Sequence, residues 1–198
     1  MKTNIRNYTV DQMLERVSDK AKGFTHYPAD YWLLGIRSKE DEVNKFDDKF
    51  VLFNGVEYVN SYSGTTHTGI KGLKEFDTYN KEGVAILQAD RIVYGSHKRG
   101  ISKGREVYRQ EKSWPYYRDN NRNNKVEEIG MLIYGVIHAH IHDVKMGNID
   151  KNKEDINGWS LACQVLNNGK QWNDFFNIDT KGQEIITLCI LNEWEVWC

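Results

Sequence analysis

Three imidazoles and one thiol stand close together in this chain. Ile137 to Asp143 reads I-H-A-H-I-H-D, and after a charged excursion Cys163 follows in N-G-W-S-L-A-C-Q-V, set among small residues. Cysteine attacks as the thiolate, so a thiol does chemistry only where a neighbour lowers its pKa or takes its proton, and imidazole is the usual agent. The competing reading is that Cys163 is a small buried hydrophobe. A second chemistry starts from the imidazoles alone. On a strand, residues two apart point to one side, so His138, His140 and His142 would share a face, and neutral His on such a face can chelate zinc. A zinc hydrolase also needs a further ligand and an acid or base, for which Asp143, Glu154 or Asp155 would serve.

Positioning such a site needs a rigid scaffold, and the rest of the chain reads as β-rich. Ile129 to Asp143 is long enough for a central strand carrying the histidines. Tyr31 to Arg37 has strand composition, and Asn54-Gly55 between two β-rich runs predicts a hairpin. Three short strands are expected in G-V-A-I-L-Q, R-I-V-Y-G-S-H-K and R-E-V-Y-R-Q, a succession that points to a sandwich or barrel-like sheet. Gln183 to Leu191 is apolar at its centre and predicts a buried final strand, with Cys189 in its core. Helices are few. Thr9-x-x-Gln12 has the form of a capping box ahead of an amphipathic run ending near Gly23, and Gln171 to Phe176 suggests a short helix packed by its aromatic face. The loop from Ser63 to Gly69 carries hydroxyls, Thr66 among them, that could face a cleft, and Arg37 reads as a solvated charge or a carboxylate clamp. Lys145 to Asp155 is a polar loop that could flank the cleft, after which Trp159 and Ser160 lead back to the sheet. Asp119, Asn121 and Asn123 alternate as calcium ligands would, but Asn124 and Gly130 stand where a calcium loop needs glycine and glutamate, so an exposed turn is expected.

Composition agrees with a single domain. The chain has 198 residues, a hydrophobic share of 39%, 11 Tyr and 6 Trp, and a net charge of −1 with both signs interspersed. Aromatic residues suit pleated, half-buried surfaces, and the absence of a basic face argues against a nucleic-acid partner. Three cysteines without paired spacing do not form a disulfide framework, and Cys198 is uninformative. No signal peptide and no membrane span are expected, so synthesis in the cytoplasm follows.

The pieces together resemble a family. I-H-A followed by S-x-A-C resembles the His … Ser/Thr-x-Gly-Cys signature of the L,D-transpeptidases and their phage relatives. G-I-R at Gly35 to Arg37, F-D-D at Phe46 to Asp48, Thr65-Thr66, His97-Lys98 and Y-R-D-N-N at Tyr117 to Asn121 occur in the same order as in those relatives. Ala162 stands where the signature has glycine, Leu161 where histidine is common and Val165 where arginine or asparagine is common.

The resemblance implies a mainly β protein with short helices (β-rich α+β), an L,D-transpeptidase-like β-sandwich over residues 31–198, with an N-terminal amphipathic helix in residues 1–30 packed on it. It implies a cysteine L,D-peptidase or transpeptidase acting on peptidoglycan stem peptides through a thioester. Cys163 would be nucleophile and His138 base, while Ser160 and the amides of Ala162 and Cys163 would shape the oxyanion site. Arg37, Thr66, His97, His140, Trp159 and Gln164 are candidate substrate contacts. No cofactor is required. Stem peptides and other virion proteins are the expected partners, and the protein would be virion-associated or act on the wall after phage delivery or lysis. Two alternatives stay open: a non-catalytic virion structural or wall-binding protein of the same fold, and a zinc-dependent hydrolase using His138, His140 and His142.

Overall fold

Strand outweighs helix, 38% against 17%, in the computed structural model, which describes residues 5–39, 43–145, 147 and 149–195. Cys198 lies outside the described residues.

Eight strands close into a barrel. β1 (Tyr31–Arg37) pairs antiparallel with β2 (Asp48–Asn54) and parallel with the last strand, β11 (Ile185–Asn192). From β2 the sheet passes to β3 (Glu57–Thr65) and β10 (Gln164–Leu166). From β11 it passes through β5 (Arg91–Ser102) and β6 (Arg105–Gln110) to β9 (Ile141–Asp143), whose parallel pairing with β10 completes the circuit. Of the sandwich or barrel-like sheet expected from the strand succession, the barrel is the form found, in place of the sandwich that the resemblance implies. A second sheet of three strands, β4 (Val84–Leu87), β7 (Trp114–Asp119) and β8 (Ile133–Gly135), stands beside it in the order β4-β7-β8.

The period-2 pattern explains why β1, β2 and β11 read as continuous apolar runs. Leu33, Phe50, Leu52, Ile186, Leu188 and Ile190 point into the main core, while Trp32, Leu34, Val51, Phe53, Cys189 and Leu191 point to a second cluster on the other face. That outer face is covered by helix α1 (Val10–Lys20), which contributes Met13 and Val17. The capping box forms as expected, with Thr9 Oγ1 accepting from the Gln12 N–H and Gln12 Oε1 from the Thr9 N–H. Tyr8 stacks on Trp194 at 3.9 Å and ties the start of the chain to its end. The main core is closed at the opposite end by α3 (Gly169–Asn173) and the π-helical turn Asp174–Asp179, which supply Trp172, Phe175 and Phe176. The expected aromatic helix is therefore present in two pieces.

Three expectations shift. The β2–β3 hairpin turns at Gly55-Val56, one residue later than Asn54-Gly55, because only Gly55 takes positive φ and a two-residue turn with glycine at its first position suffices. The Ser63–Gly69 loop is part strand, and a helix not read from the sequence, α2 (Ile70–Glu75), follows it. The third concerns the histidines. Ile129 to Asp143 is not one strand: Ile133–Gly135 belongs to the small sheet and Ile141–Asp143 to the barrel, and residues 136–140 cross between them. His138 has φ 61°, a left-handed conformation no strand tolerates. The turn after Asp119 is exposed as expected, its oxygens engaged in successive local bonds such as Asn121 N to Asp119 Oδ1 and Asn123 N to Asn121 Oδ1.

Candidate active site

The crossing segment and the turn that ends in Cys163 meet at a cleft of about 900 Å³. His138, His140, His142, Trp159, Ala162 and Cys163 all line it. The strand argument for a shared face fails in its backbone yet the three imidazoles still converge, because β9 presents His142 while the crossing loop turns His138 and His140 the same way; their rings lie 5.8 Å apart.

Two buried side chains hold that loop. Gln110, 3% exposed at the end of β6, accepts with Oε1 from the main-chain N–H groups of Ile137 and Ala139 and donates with Nε2 to the carbonyls of Lys112 and Gly135. His97, 1% exposed, donates from Nε2 to the Ala139 carbonyl at 2.9 Å, while its Nδ1 accepts from the Ser96 hydroxyl, which itself accepts from the Leu188 N–H. Ala139, in the middle of this segment, is fully buried, where main-chain polar groups need partners, and these two residues supply them for its N–H and its carbonyl. Gln110 carries no motif, and only the general expectation that a glutamine ending a strand beside a loop finds main-chain partners could have singled it out.

Two of the three rings have a defined state. His142 Nδ1 lies 2.7 Å from the Asp143 carbonyl, so it carries the proton and leaves Nε2 bare. His140 is the reverse: its Nδ1 accepts from the Gln110 N–H at 3.1 Å, so the neutral ring presents an Nε2 proton and acts as a donor, not a base. Burial lowers the pKa of both to about 4, aided at His140 by the neighbouring imidazoles. Among the described residues no group of three His, Cys, Asp or Glu side chains is disposed to hold a metal ion, so the three imidazoles face one cleft without forming a ligand set.

Cys163 is half-buried, with its sulfur against the crossing loop. Sγ donates to the main-chain carbonyl of His138 at 3.6 Å, and no hydrogen bond joins it to an imidazole nitrogen among the described residues. Burial pushes the thiol up to about 11; the main-chain N–H of His140 and, at longer range, Arg105 and Lys103 work in the opposite direction. Ser160, 1% exposed, donates to the carbonyl of Cys163 at 2.8 Å and so fixes the turn rather than facing the cleft. Ala162 keeps a φ outside the left-handed region, so its methyl group adds no backbone strain where the signature has glycine.

The other candidate contacts divide. Trp159 and His140 line the cleft. Arg37 does not: its side chain, 3% exposed, donates to Thr66 Oγ1, Glu128 Oε1 and the Leu87 carbonyl, a carboxylate clamp turned inward. Thr66 is tied to Asp48 through its N–H and hydroxyl. His97 acts on the loop from behind, and Gln164 is fully buried with Nε2 on the Ala162 carbonyl. These four, expected as substrate contacts, do not line this cleft, and Arg37 lines a second pocket with Glu128: motif order cannot tell a residue at a cleft from one beneath it. Four cations that the sequence did not mark as site residues, Lys103, Arg105, Arg109 and Arg118, line the cleft instead.

Comparison with protein-family models, with curated proteins and with solved structures finds no match to this chain. No helix among the described residues is long and apolar enough to cross a membrane.

Proposed function

We propose that this protein is a cysteine peptidase or transpeptidase of the L,D-transpeptidase type, of phage origin, acting on peptidoglycan stem peptides, and either virion-associated or acting on the wall at lysis. The observation that carries this reading is the position of the Cys163 sulfur: at the surface of a 900 Å³ cleft, against the His138 main chain, with the His140 N–H on it and two further imidazoles on the same wall. In the resting state the thiol is protonated. Its proton must leave as the sulfur attacks, and His138, whose main-chain carbonyl the thiol contacts and whose side chain is exposed beside the cleft, is the base this reading assigns; it requires the ring to approach the sulfur when substrate binds, as groups in catalytic hydrogen bonds often do. Attack at the peptide carbonyl forms a thioester and expels the amine, to which the imidazolium returns the proton. Water then releases the acid, or a second amine forms a new cross-link.

The test is digestion of purified sacculi followed by mass spectrometry of the fragments. Wild type releases stem-peptide products, Cys163→Ala releases none, and His138→Ala loses at least a hundredfold in rate. Equal digests from wild type and Cys163→Ala would leave the second reading, a non-catalytic wall-binding or structural virion protein, which the elevated thiol pKa and the main-chain partner of Sγ favour.

A further inference from the structure

The charge of the cleft is one-sided. The chain as a whole carries −1, yet among the described residues those lining this cleft include Lys103, Arg105, Arg109 and Arg118 and no Asp or Glu. Three of the four come from one hairpin. Lys103 and Gly104 form the tight turn between β5 and β6, both at positive φ, and Arg105, Val107 and Arg109 alternate along β6 so that all three meet the cleft. Arg118 comes from β7 in the second sheet.

Structural work does not use up these charges. The side chains of Lys103 and Arg109 make no hydrogen bond or ion pair among the described residues, and both residues are exposed. Arg105 lies over the Trp159 ring at 5.9 Å and has one carboxylate, Asp143, only at 4.0 Å; its Nη1 is buried and without a hydrogen-bond partner. Arg118 donates from Nη1 to the Gly83 carbonyl while its buried Nε has no partner. Guanidinium forks with unfilled donors, in a concave site that concentrates field, fit carboxylates, which they hold by paired hydrogen bonds.

We propose that the cleft selects an acyl donor bearing free carboxylates, an anionic peptide, and that Lys103, Arg105 and Arg109 are its specificity-determining residues. The acyl step rests on the cysteine reading given above; the recognition of carboxylates does not. A peptide is favoured over a simple anion because the same cleft holds a thiol and extends over both sheets, room that inorganic phosphate would leave largely unfilled.

The experiment uses the full chain carrying Cys163→Ala and calorimetric titration with a synthetic tetrapeptide stem containing a diamino diacid, against the same peptide with its carboxylates converted to carboxamides. The carboxylate form binds at least tenfold tighter in 50 mM salt, the preference shrinks in 300 mM salt, and Arg105→Gln or Arg109→Gln reduces it below threefold at an unchanged melting temperature. Arg109 is the second variant because its exposed side chain has no packing role comparable to that of Arg105 on Trp159. Equal binding of the two peptides, or displacement of the peptide by an equal concentration of inorganic phosphate, overturns the proposal. Intact-mass measurement of wild type with both peptides separates the two readings. Thioester formed equally from both retains the cysteine chemistry and removes the carboxylate selectivity, whereas selective binding without any thioester retains the selectivity and removes the chemistry.

Discussion

His97 donates from Nε2 to the carbonyl oxygen of Ala139, the residue between the two imidazoles of the crossing loop, and is itself sealed in the barrel wall at 1% exposure. Burial lowers its pKa to about 4, against an ordinary value of 6.5, and the bond to Ala139 only partly offsets this. The folded state therefore binds fewer protons than the unfolded one between about pH 6.5 and 4, so the stability this ring contributes is present at neutral pH and is lost as pH falls through that window. His140 and His142 titrate in the same direction, both lowered chiefly by burial. Chemical denaturation at a series of pH values should show midpoints falling steeply below pH 6.5. His97→Gln, which keeps a donor and an acceptor but cannot charge, should flatten that fall, and an unaltered slope would remove His97 from the account.

Gln110 should prove more important to the cleft than any residue of the Cys163 turn except the cysteine. Gln110→Ala strips the partners from the N–H groups of Ile137 and Ala139 and from the carbonyls of Lys112 and Gly135. Unsatisfied main-chain groups cost about 1 to 3 kcal/mol each when buried, and water reaches some of these, so a net loss of about 3 kcal/mol is expected. Hydrogen exchange at Ala139 should accelerate far more than at Leu188 in the core of β11. Uniform acceleration would mean that Gln110 supports the barrel generally and not the loop.

Ala162→Gly tests how far a motif can be read without its backbone. Glycine is needed only where φ is positive, and φ at Ala162 is not. The substitution should lower stability by about 0.5 to 1 kcal/mol through the unfolded chain's added freedom, with no gain in turnover on sacculi. A rise in turnover would show that the turn adopts another conformation with substrate. The contrast with other positions marks what was legible. Strand β1, the capping box at Thr9 and the buried run of β11 follow from local pattern, and so they were readable. The break at His138 was not, because a left-handed histidine is fixed by Gln110 and His97 from 28 and 41 residues upstream in sequence order, and no local signal announces it. Arg37 failed for a related reason: its partner Glu128 lies 91 residues away, and a strand-end arginine looks alike whether it meets solvent, substrate or a carboxylate of its own chain.

Cys163 alkylation offers the sharpest reading of the resting site. With its thiol pushed up to about 11 by burial, the reactive thiolate is a small fraction at neutral pH and grows tenfold for each pH unit. Iodoacetamide labelling, resolved by peptide mapping, should therefore rise log-linearly from pH 7 to 10 at Cys163, while Cys189, at 0% exposure and raised still further, stays unlabelled until the protein unfolds. A saturating anionic peptide should change the profile if binding brings the His138 ring onto the sulfur: the imidazole then accepts the thiol proton, and the rate at pH 7 becomes less dependent on pH. A plateau below pH 7 in the free protein would mean that the ring already holds that position, and that the bond from Sγ to the His138 carbonyl is not the resting arrangement.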